Sequence, residues 1–401
     1  MSSATNARTA PEGRVRLPMA GLLALFAAGF LGIVNETIPA GLLPEMARGL
    51  GVSESVAGQT ITVYALATAL TAIPLNAVLK HWGRRTVLIT ALVAFGLANL
   101  VTAFLSSFVL ILVARFVAGV GAGLIWSNLG GYAARIVPER LQGRAVAIAM
   151  AGTPVALSLG LPAGTFLAGV TGWQSSFAVM AAVSVGVVVW ALMSLPNVPG
   201  MPDGGHVRSA TIMRTRGVLP ILGVVAGFMV AHNILYTYIA PLATASGGGD
   251  QLTWVLMVFG LAAILSIWVT GALVDPHHRY LTVVSTLVLA ASALALGLAA
   301  DPLVLHLAVA AWGFGFGGSA TLFVTAGIRA AGTDNVQSIL VTVFNLSIAA
   351  GGVIGGFLLA GPGVASIPWV ALAVMVPTAI TAVAGRRHAF PHWPRGSEQV
   401  G

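Results

Sequence analysis

Gly29-Phe-Leu-Gly-Ile-Val-Asn-Glu-Thr-Ile-Pro-Ala-Gly-Leu-Leu43 is the second half of an apolar run that begins at Leu17. The run is long enough to cross a bilayer, which takes about 20 residues of helix. Glu36 lies about two turns inside it. A carboxylate at that depth has no water shell, and its burial is costly unless it is paired or protonated. Two readings stay open. Glu36 is a working acid inside the membrane, or it is a helix-end residue whose side chain reaches back to the interface.

The rest of the chain fits the same environment. Of its 401 residues, 57% are hydrophobic and 7% charged, whereas soluble chains carry about 25% charged residues. The composition is that of a polytopic integral membrane protein. There is no cysteine, which excludes disulfides, thiolate metal sites and thiol catalysis. The net charge of +8 has a topological cause, given below, and nucleic acid is not expected as a partner. The polar, basic start of the chain is followed by an apolar run too long for a signal-peptide core, so a retained first span is expected.

Twelve apolar segments follow one another: Leu17–Leu43, Val56–Leu79, Thr86–Leu105, Phe108–Ile136, Arg144–Thr171, Gln174–Leu195, Gly217–Ala245, Gln251–Val274, Tyr280–Ala299, Pro302–Ala331, Gln337–Ala360 and Ile367–Gly385. Lipid forbids open strands, and no barrel-type alternation is present, so all twelve read as helices. The fold class is all-α integral membrane. The expected divisions are a tail over 1–16, a first six-helix half over 17–195, a linker over 196–216, a second half over 217–385 and a tail over 386–401.

Charge orients the set. Of 19 Lys and Arg, 17 fall on one side if the N-terminus is cytoplasmic; Arg48 lies outside and Arg115 within a span. The positive-inside bias then expects both termini and the linker in the cytoplasm.

The two sets of six spans read as copies. Gly29, Phe30 and Asn35 correspond to Gly227, Phe228 and Asn233, offset by 198. Asn76 to Lys80 corresponds to Gly271 to Asp275, offset by 195, and Gly119, Gly121 and Gly123 to Gly313, Gly315 and Gly317, offset by 194. Gly160 and Gly164 correspond to Gly352 and Gly356, offset by 192. A slowly drifting offset is the mark of duplication. Two pseudo-symmetric halves make a transporter architecture, with the site between them.

Span 5 carries a stripe of small residues, Gly152, Ala156, Gly160, Gly164 and Ala168, with Pro154 and Pro162 to bend the helix. Span 11 has Gly351, Gly352, Gly355 and Gly356. Such stripes admit another helix at close range, and both are expected at the seam between the halves, with ordinary tight packing as the alternative.

Glu36 and Arg115 are each about 10 Å below the outer end of their span. Opposite charges at one depth lower the cost of burying both, so they are expected to work together in proton coupling. Arg115 has a structural alternative, holding backbone carbonyls. Trp126 lies about 20° round the helix from Arg115, with Gly119 and Ala122 between, a face suited to an amphipathic ligand. On span 7, His232, Asn233 and Tyr236 share an arc of about 100° and offer hydrogen bonds to a neutral ligand. Asn35 and Asn345 join them as candidate substrate contacts. His232 is a second proton candidate, with satisfaction by a backbone carbonyl as the alternative, and Asn345 is divided between ligand contact and a helix–helix hydrogen bond.

Several stretches resemble the twelve-span drug–proton antiporters of the major facilitator superfamily. Glu36 with Gly41-Leu-Leu-Pro-Glu-Met-Ala47 resembles the span 1 pattern of the branch exporting sugars, purine nucleosides and chloramphenicol. Val52-Ser-Glu-Ser-Val-Ala-Gly-Gln59 is similar to the start of span 2 in nucleoside exporters. Arg115-Phe-Val-Ala-Gly-Val-Gly-Ala-Gly123, Gly160-Leu-Pro-Ala-Gly164 and Asn345-Leu-Ser-Ile-Ala-Ala-Gly351 resemble the motifs of spans 4, 5 and 11. The resemblance implies that spans 1 and 4 line one cavity. It also gives Gly160, Pro162 and Gly164, together with Gly83, Arg84, Arg85 and Asp275, gating or structural roles. The loop between spans 2 and 3 departs from the family, with Asn76 and Lys80 where a Gly and an Asp are usual, while Asp275 keeps the acid in the second half.

The function expected is secondary active export. A small organic molecule, whether drug, nucleoside or sugar-like, is exchanged for protons by alternating access in a bacterial inner membrane, by a monomer without cofactor or metal. A passive facilitator or importer with the same fold is the alternative. An intramembrane enzyme is remote, because no nucleophile–base pair or His-Glu-x-x-His stands in the spans.

Overall fold

The computed structural model describes residues 17–79, 81–138, 141–200, 209–299, 301–332, 336–386 and 389–390. Lys80, residues 1–16 and most of the tail over 386–401 lie outside them, as do the side chains of Asn76 and Asp275. All regular structure among the described residues is helical.

The N-terminal half comprises α1 (Met19–Gly41), α2 (Leu43–Leu50), α3 (Glu54–Val78), α4 (Arg84–Phe104), α5 (Phe108–Arg135), α6 (Gln142–Met150), α7 (Gly152–Val155), a π-helical turn at Ala156–Gly160, α8 (Leu161–Thr171) and α9 (Trp173–Ser194). After the short α10 (Ser209–Met213) come α11 (Val218–Thr237), α12 (Ile239–Ala245), α13 (Leu252–Leu298), α14 (Pro302–Gly317), α15 (Ser319–Ala331), α16 (Val336–Ala360) and α17 (Ile367–Ala384). Eleven spans among the described residues are long and apolar enough to cross a membrane. The twelfth is α3, 25 residues long, which packs between α5 and α16.

The breaks have local causes. Pro39 and Pro44 flank the non-helical Leu42, so span 1 turns there into the amphipathic α2, which ends on Gly51 at φ +66°. Ser53 Oγ accepts from Val56 N at 3.3 Å and caps α3, and Asp301 does the same for α14. The expected break between spans 8 and 9 falls at His277, whose backbone leaves helical geometry (φ −129°, ψ 23°), and it divides Gly249–Val274 from His277–Leu298. Span 5 contains the π turn just before Pro162, which has no N–H to give the preceding turn.

The duplication has a geometric counterpart. A Cβ on Gly119 would overlap the Tyr64 carbonyl, and one on Gly313 would overlap the Phe259 carbonyl. A Cβ on Gly121 would stand 3.1 Å from the Ala91 carbonyl oxygen, and one on Gly315 would stand 3.2 Å from that of Ser285. Each contact in one half therefore recurs at the corresponding residues of the other.

The halves meet along two lines, α3 with α16 and span 5 with α13. On the first, Ser55 Oγ donates to the Gly356 carbonyl at 2.7 Å, and Thr62 abuts Gly352. On the second, Gly260 lies against the backbone of Leu157 and Ser158 in the π turn. Ser55 to Thr62 is the first third of α3, and Gly352 to Gly356 lies in the last third of α16. The first line is thus drawn shut at the end of the bundle where α1 leads into α3.

The glycine stripe of span 5 corrects one expectation. A Cβ on Gly152 would overlap the Phe26 carbonyl, one on Gly160 would stand 2.5 Å from Val34, and one on Gly164 would overlap Ile38. All three face α1, inside the same half. A stripe marks close approach but does not name the neighbour. Span 11 splits: Gly352 and Gly356 face α3 across the seam, while Gly351 and Gly355 face Asn233 and Tyr238 of their own half.

Candidate functional site

The first cluster is built by α1, α3 and α5. The Gly119 approach seats α5 on α3, and Thr68 Oγ1 donates to the Gly119 carbonyl at 2.9 Å. One turn earlier on α5 and two turns earlier on α3, Arg115 Nε donates to the Thr60 carbonyl at 3.3 Å. Arg115 Nη1 donates to Asn35 Oδ1 at 2.7 Å, and its guanidinium carbon lies 4.6 Å from the centre of the Tyr64 ring. Tyr64 Oη in turn donates to the Gly32 carbonyl at 3.1 Å. Arg115 is 1% exposed. A buried guanidinium needs such partners, since a hydrogen bond to a charged group contributes about 1.5–3 kcal/mol and a desolvated cation–π contact about 2 kcal/mol.

The expected Glu36–Arg115 pairing is therefore indirect. The carbonyl-holding reading of Arg115 is correct in part, and the direct side-chain partner is Asn35, next to Glu36. Glu36 is half-buried and within electrostatic range of Arg115. Two donors in the cluster, Arg115 Nη2 and Asn35 Nδ2, are buried without a hydrogen bond. The face of α5 expected to be open to a ligand is largely packed, since Gly119 meets α3 and Ala122 is fully buried. Trp126 is half-buried, with its ring 3.5 Å from where a Cβ on Gly32 would sit.

The second cluster is aromatic and lies on α11, α13 and α14. His232 and Phe316 stack with centroids 3.7 Å apart and planes at 7°. Tyr236 covers His232 at 5.2 Å and 23°, and Phe259 and Trp312 close the nest at 6.1 and 5.5 Å. Trp312 Nε1 donates to His232 Nδ1 at 3.0 Å. His232 is thus held by an indole, not by the backbone carbonyl expected as its alternative. Tyr236 Oη is buried at the seam, with the Thr37 hydroxyl of α1 as its hydrogen-bonding neighbour and Glu36 of α1 within electrostatic range. The aromatic nest therefore faces the Glu36 cluster across the two halves.

Asn233 and Asn345 stand apart from this centre. Asn233 Nδ2 donates to Met229 O at 2.8 Å and packs on Gly351. Asn345 Nδ2 donates to Val341 O at 2.9 Å. Both amides spend a donor on a carbonyl of their own helix, not on the helix–helix hydrogen bond that is the alternative for Asn345. Phe259, Trp312, Phe316 and Tyr64 had not been singled out. Trp312 and Phe316 are four residues apart, as are His232 and Tyr236, so two facing aromatic stripes were readable.

The arginines after span 2 have a structural task. Arg84 Nη1 donates to Asn128 Oδ1 at 3.4 Å and its backbone N to the Val198 carbonyl at 2.8 Å. Arg85 reaches the Leu195 carbonyl at 3.3 Å, and Arg135 the Pro199 carbonyl at 2.9 Å. Gly83 lies against Asn197, which a Cβ there would overlap. In the second half Arg279, the counterpart of Arg84, donates to Val383 and Phe390 carbonyls at 2.8 and 2.9 Å. Each half ties the segment after its last span back to its own loop.

A buried cation and a half-buried acid in one half thus stand opposite an aromatic nest in the other. Comparison with known proteins gives the family. The family model for the Major Facilitator Superfamily matches residues 25–338. The purine ribonucleoside efflux pump NepI of Shigella dysenteriae serotype 1 (strain Sd197) is 30% identical over 359 residues, covering 88% of this chain and 91% of that protein. NepI of Escherichia coli O6:K15:H31 is 31% identical over 361 residues, and that of Escherichia coli strain K12 is 30% identical over 361, each covering 88% of this chain and 90% of the relative. With its helical pairs repeated in two halves and the match running through both, this multi-pass membrane chain belongs to the major facilitator superfamily.

Proposed function

We propose that the chain exports purine ribonucleosides, or molecules of similar shape, in exchange for protons. The observation that carries the reading is Glu36, half-buried beside the Arg115–Asn35 pair of one half and facing Tyr236 of the other. The relatives named purine ribonucleoside efflux pumps supply the substrate class. It acts as a transporter and not as an enzyme, as a monomer in the bacterial cytoplasmic membrane, with both termini and residues 196–216 in the cytoplasm.

Residues 17–195 and 217–385 are the rocking halves. With the α3–α16 line shut on the outer side, the site opens inward, where substrate enters between the Glu36 cluster and the aromatic nest. Glu36 releases its proton to the cytoplasm as substrate binds and takes one up when the outer seam parts. Water access, and the distance to Arg115, change between the two states and with them the affinity of the carboxylate for its proton. A passive facilitator or importer has no need of that proton.

Inside-out vesicles with an acidic lumen separate these cases. Radiolabelled inosine should accumulate in them, and collapse of the gradient should stop it. Glu36→Gln keeps the size and removes the titrating proton, so driven uptake should be lost while inosine binding persists. Full gradient-driven uptake by that variant overturns the role of Glu36.

A further inference from the structure

We propose that His232 is a fixed hydrogen-bond donor to the transported molecule, held in a single tautomer by Trp312, and that the ligand atom it meets is an in-plane acceptor of a neutral heteroaromatic ring. The ligand half of this proposal rests on the nucleoside reading above; the tautomer half does not.

An indole N–H can only donate, so the 3.0 Å contact from Trp312 Nε1 requires a lone pair on His232 Nδ1. In a neutral imidazole the proton then sits on Nε2. The ring is also fixed in orientation. Phe316 stacks on it at 3.7 Å and 7°, and Tyr236 lies over it at 5.2 Å and 23°. With Nδ1 taken by the indole, Nε2 is the ring atom left to bond another molecule.

That atom is unused among the described residues. His232 is 5% exposed, yet Nε2 makes no hydrogen bond to any described residue and is not among the sealed, unpartnered atoms. Leaving such a donor unmade is costly, and a ligand with an acceptor in its plane satisfies it. With the indole N–H in place, Nδ1 has no room for a second proton. His232 then reads the ligand, and the proton is carried elsewhere.

Two arms test this on the full-length protein. In the first, the chain is labelled with ¹⁵N-histidine and studied without ligand. The signal absent from His232→Phe identifies the residue, and its two nitrogen shifts report which atom is protonated. A single Nε2–H form that becomes a mixture in Trp312→Phe is expected. A mixture in the wild type, or no change in Trp312→Phe, overturns the tautomer lock.

In the second arm, binding of inosine and adenosine is compared with binding of 1-deaza, 3-deaza and 7-deaza purine ribonucleosides. His232→Phe keeps the stack and loses the donor, so purine ribonucleoside affinity should fall about tenfold. Trp312→Phe should weaken binding too, and the double variant should be no weaker than His232→Phe alone. One deaza analogue should bind wild type and His232→Phe equally poorly. His232→Gln serves as the donor-retaining variant if the Phe form does not fold, and should recover part of the loss. Unchanged affinity in His232→Phe for every ligand overturns the proposal. Absence of any nucleoside binding by the wild type removes the substrate reading and the ligand half with it, while the first arm still decides the tautomer.

Discussion

Replacing Thr62 and Gly352 by cysteine turns this cysteine-free chain into a reporter of its own seam. A Cβ built on Gly352 stands 3.5 Å from Thr62 Cβ. Disulfides form with Cβ atoms about 3.5–4.5 Å apart, so the pair lies at the near edge of the permitted window, and a parting of about 2 Å takes it outside. Mild oxidation should therefore consume both thiols, measured as loss of maleimide labelling. The cross-link should hold α3 on α16 and stop inosine transport, and a reductant should restore it. A control pair, Leu66→Cys with Phe357→Cys, uses residues that are 39% and 75% exposed and should keep both thiols and full transport. Thiols that stay reactive would show the seam is drawn wrongly. A complete cross-link with unchanged transport would refute the idea that this seam opens in the cycle.

Three further substitutions follow from the glycine contacts and the arginine ties. Gly164→Leu collides with Ile38 inside one half and should cost about 1–3 kcal/mol of stability, read as a lower Tm in detergent. By contrast, Gly260→Ala sets a methyl against the Leu157 and Ser158 backbone of the other half and should slow transport about tenfold with Tm preserved; equal Tm losses in both would remove the distinction between packing and seam. Arg279→Ala breaks two carbonyl contacts, each contributing about 1.5–3 kcal/mol, and should expose the chain near Phe390 to protease; unchanged cleavage there would argue against the tie.

The fold was legible because lipid leaves so few options. Twelve apolar runs had to be helices, and repeated glycines such as Gly119 and Gly313 revealed the duplication. Partners were less legible. The stripe through Gly160 and Gly164 gave a close approach, yet helix periodicity carries no address, and the neighbour is α1, not the other half. Arg115 was placed at the right depth, but its direct partner is Asn35, one residue from the expected Glu36. A residue step turns a helix by about 100°, which depth alone does not resolve. The aromatic nest was half seen, in His232 and Tyr236. Its other walls, Phe259, Trp312 and Phe316, come from helices distant in sequence, and only the i,i+4 spacing of Trp312 and Phe316 hinted at a shared face.

The arginine ties are kept within each half. Arg84, Arg85 and Arg135 fasten the backbone at Leu195 to Pro199, and Arg279 fastens Val383 and Phe390. Each half thus fastens the end of its own last span to its own loop. None of these ties crosses from one half to the other, so a rotation between the halves leaves them unbroken. Either half can then change its lining without loosening the fastening of its twin, one carrying charge at Arg115 and the other aromatic rings at Trp312.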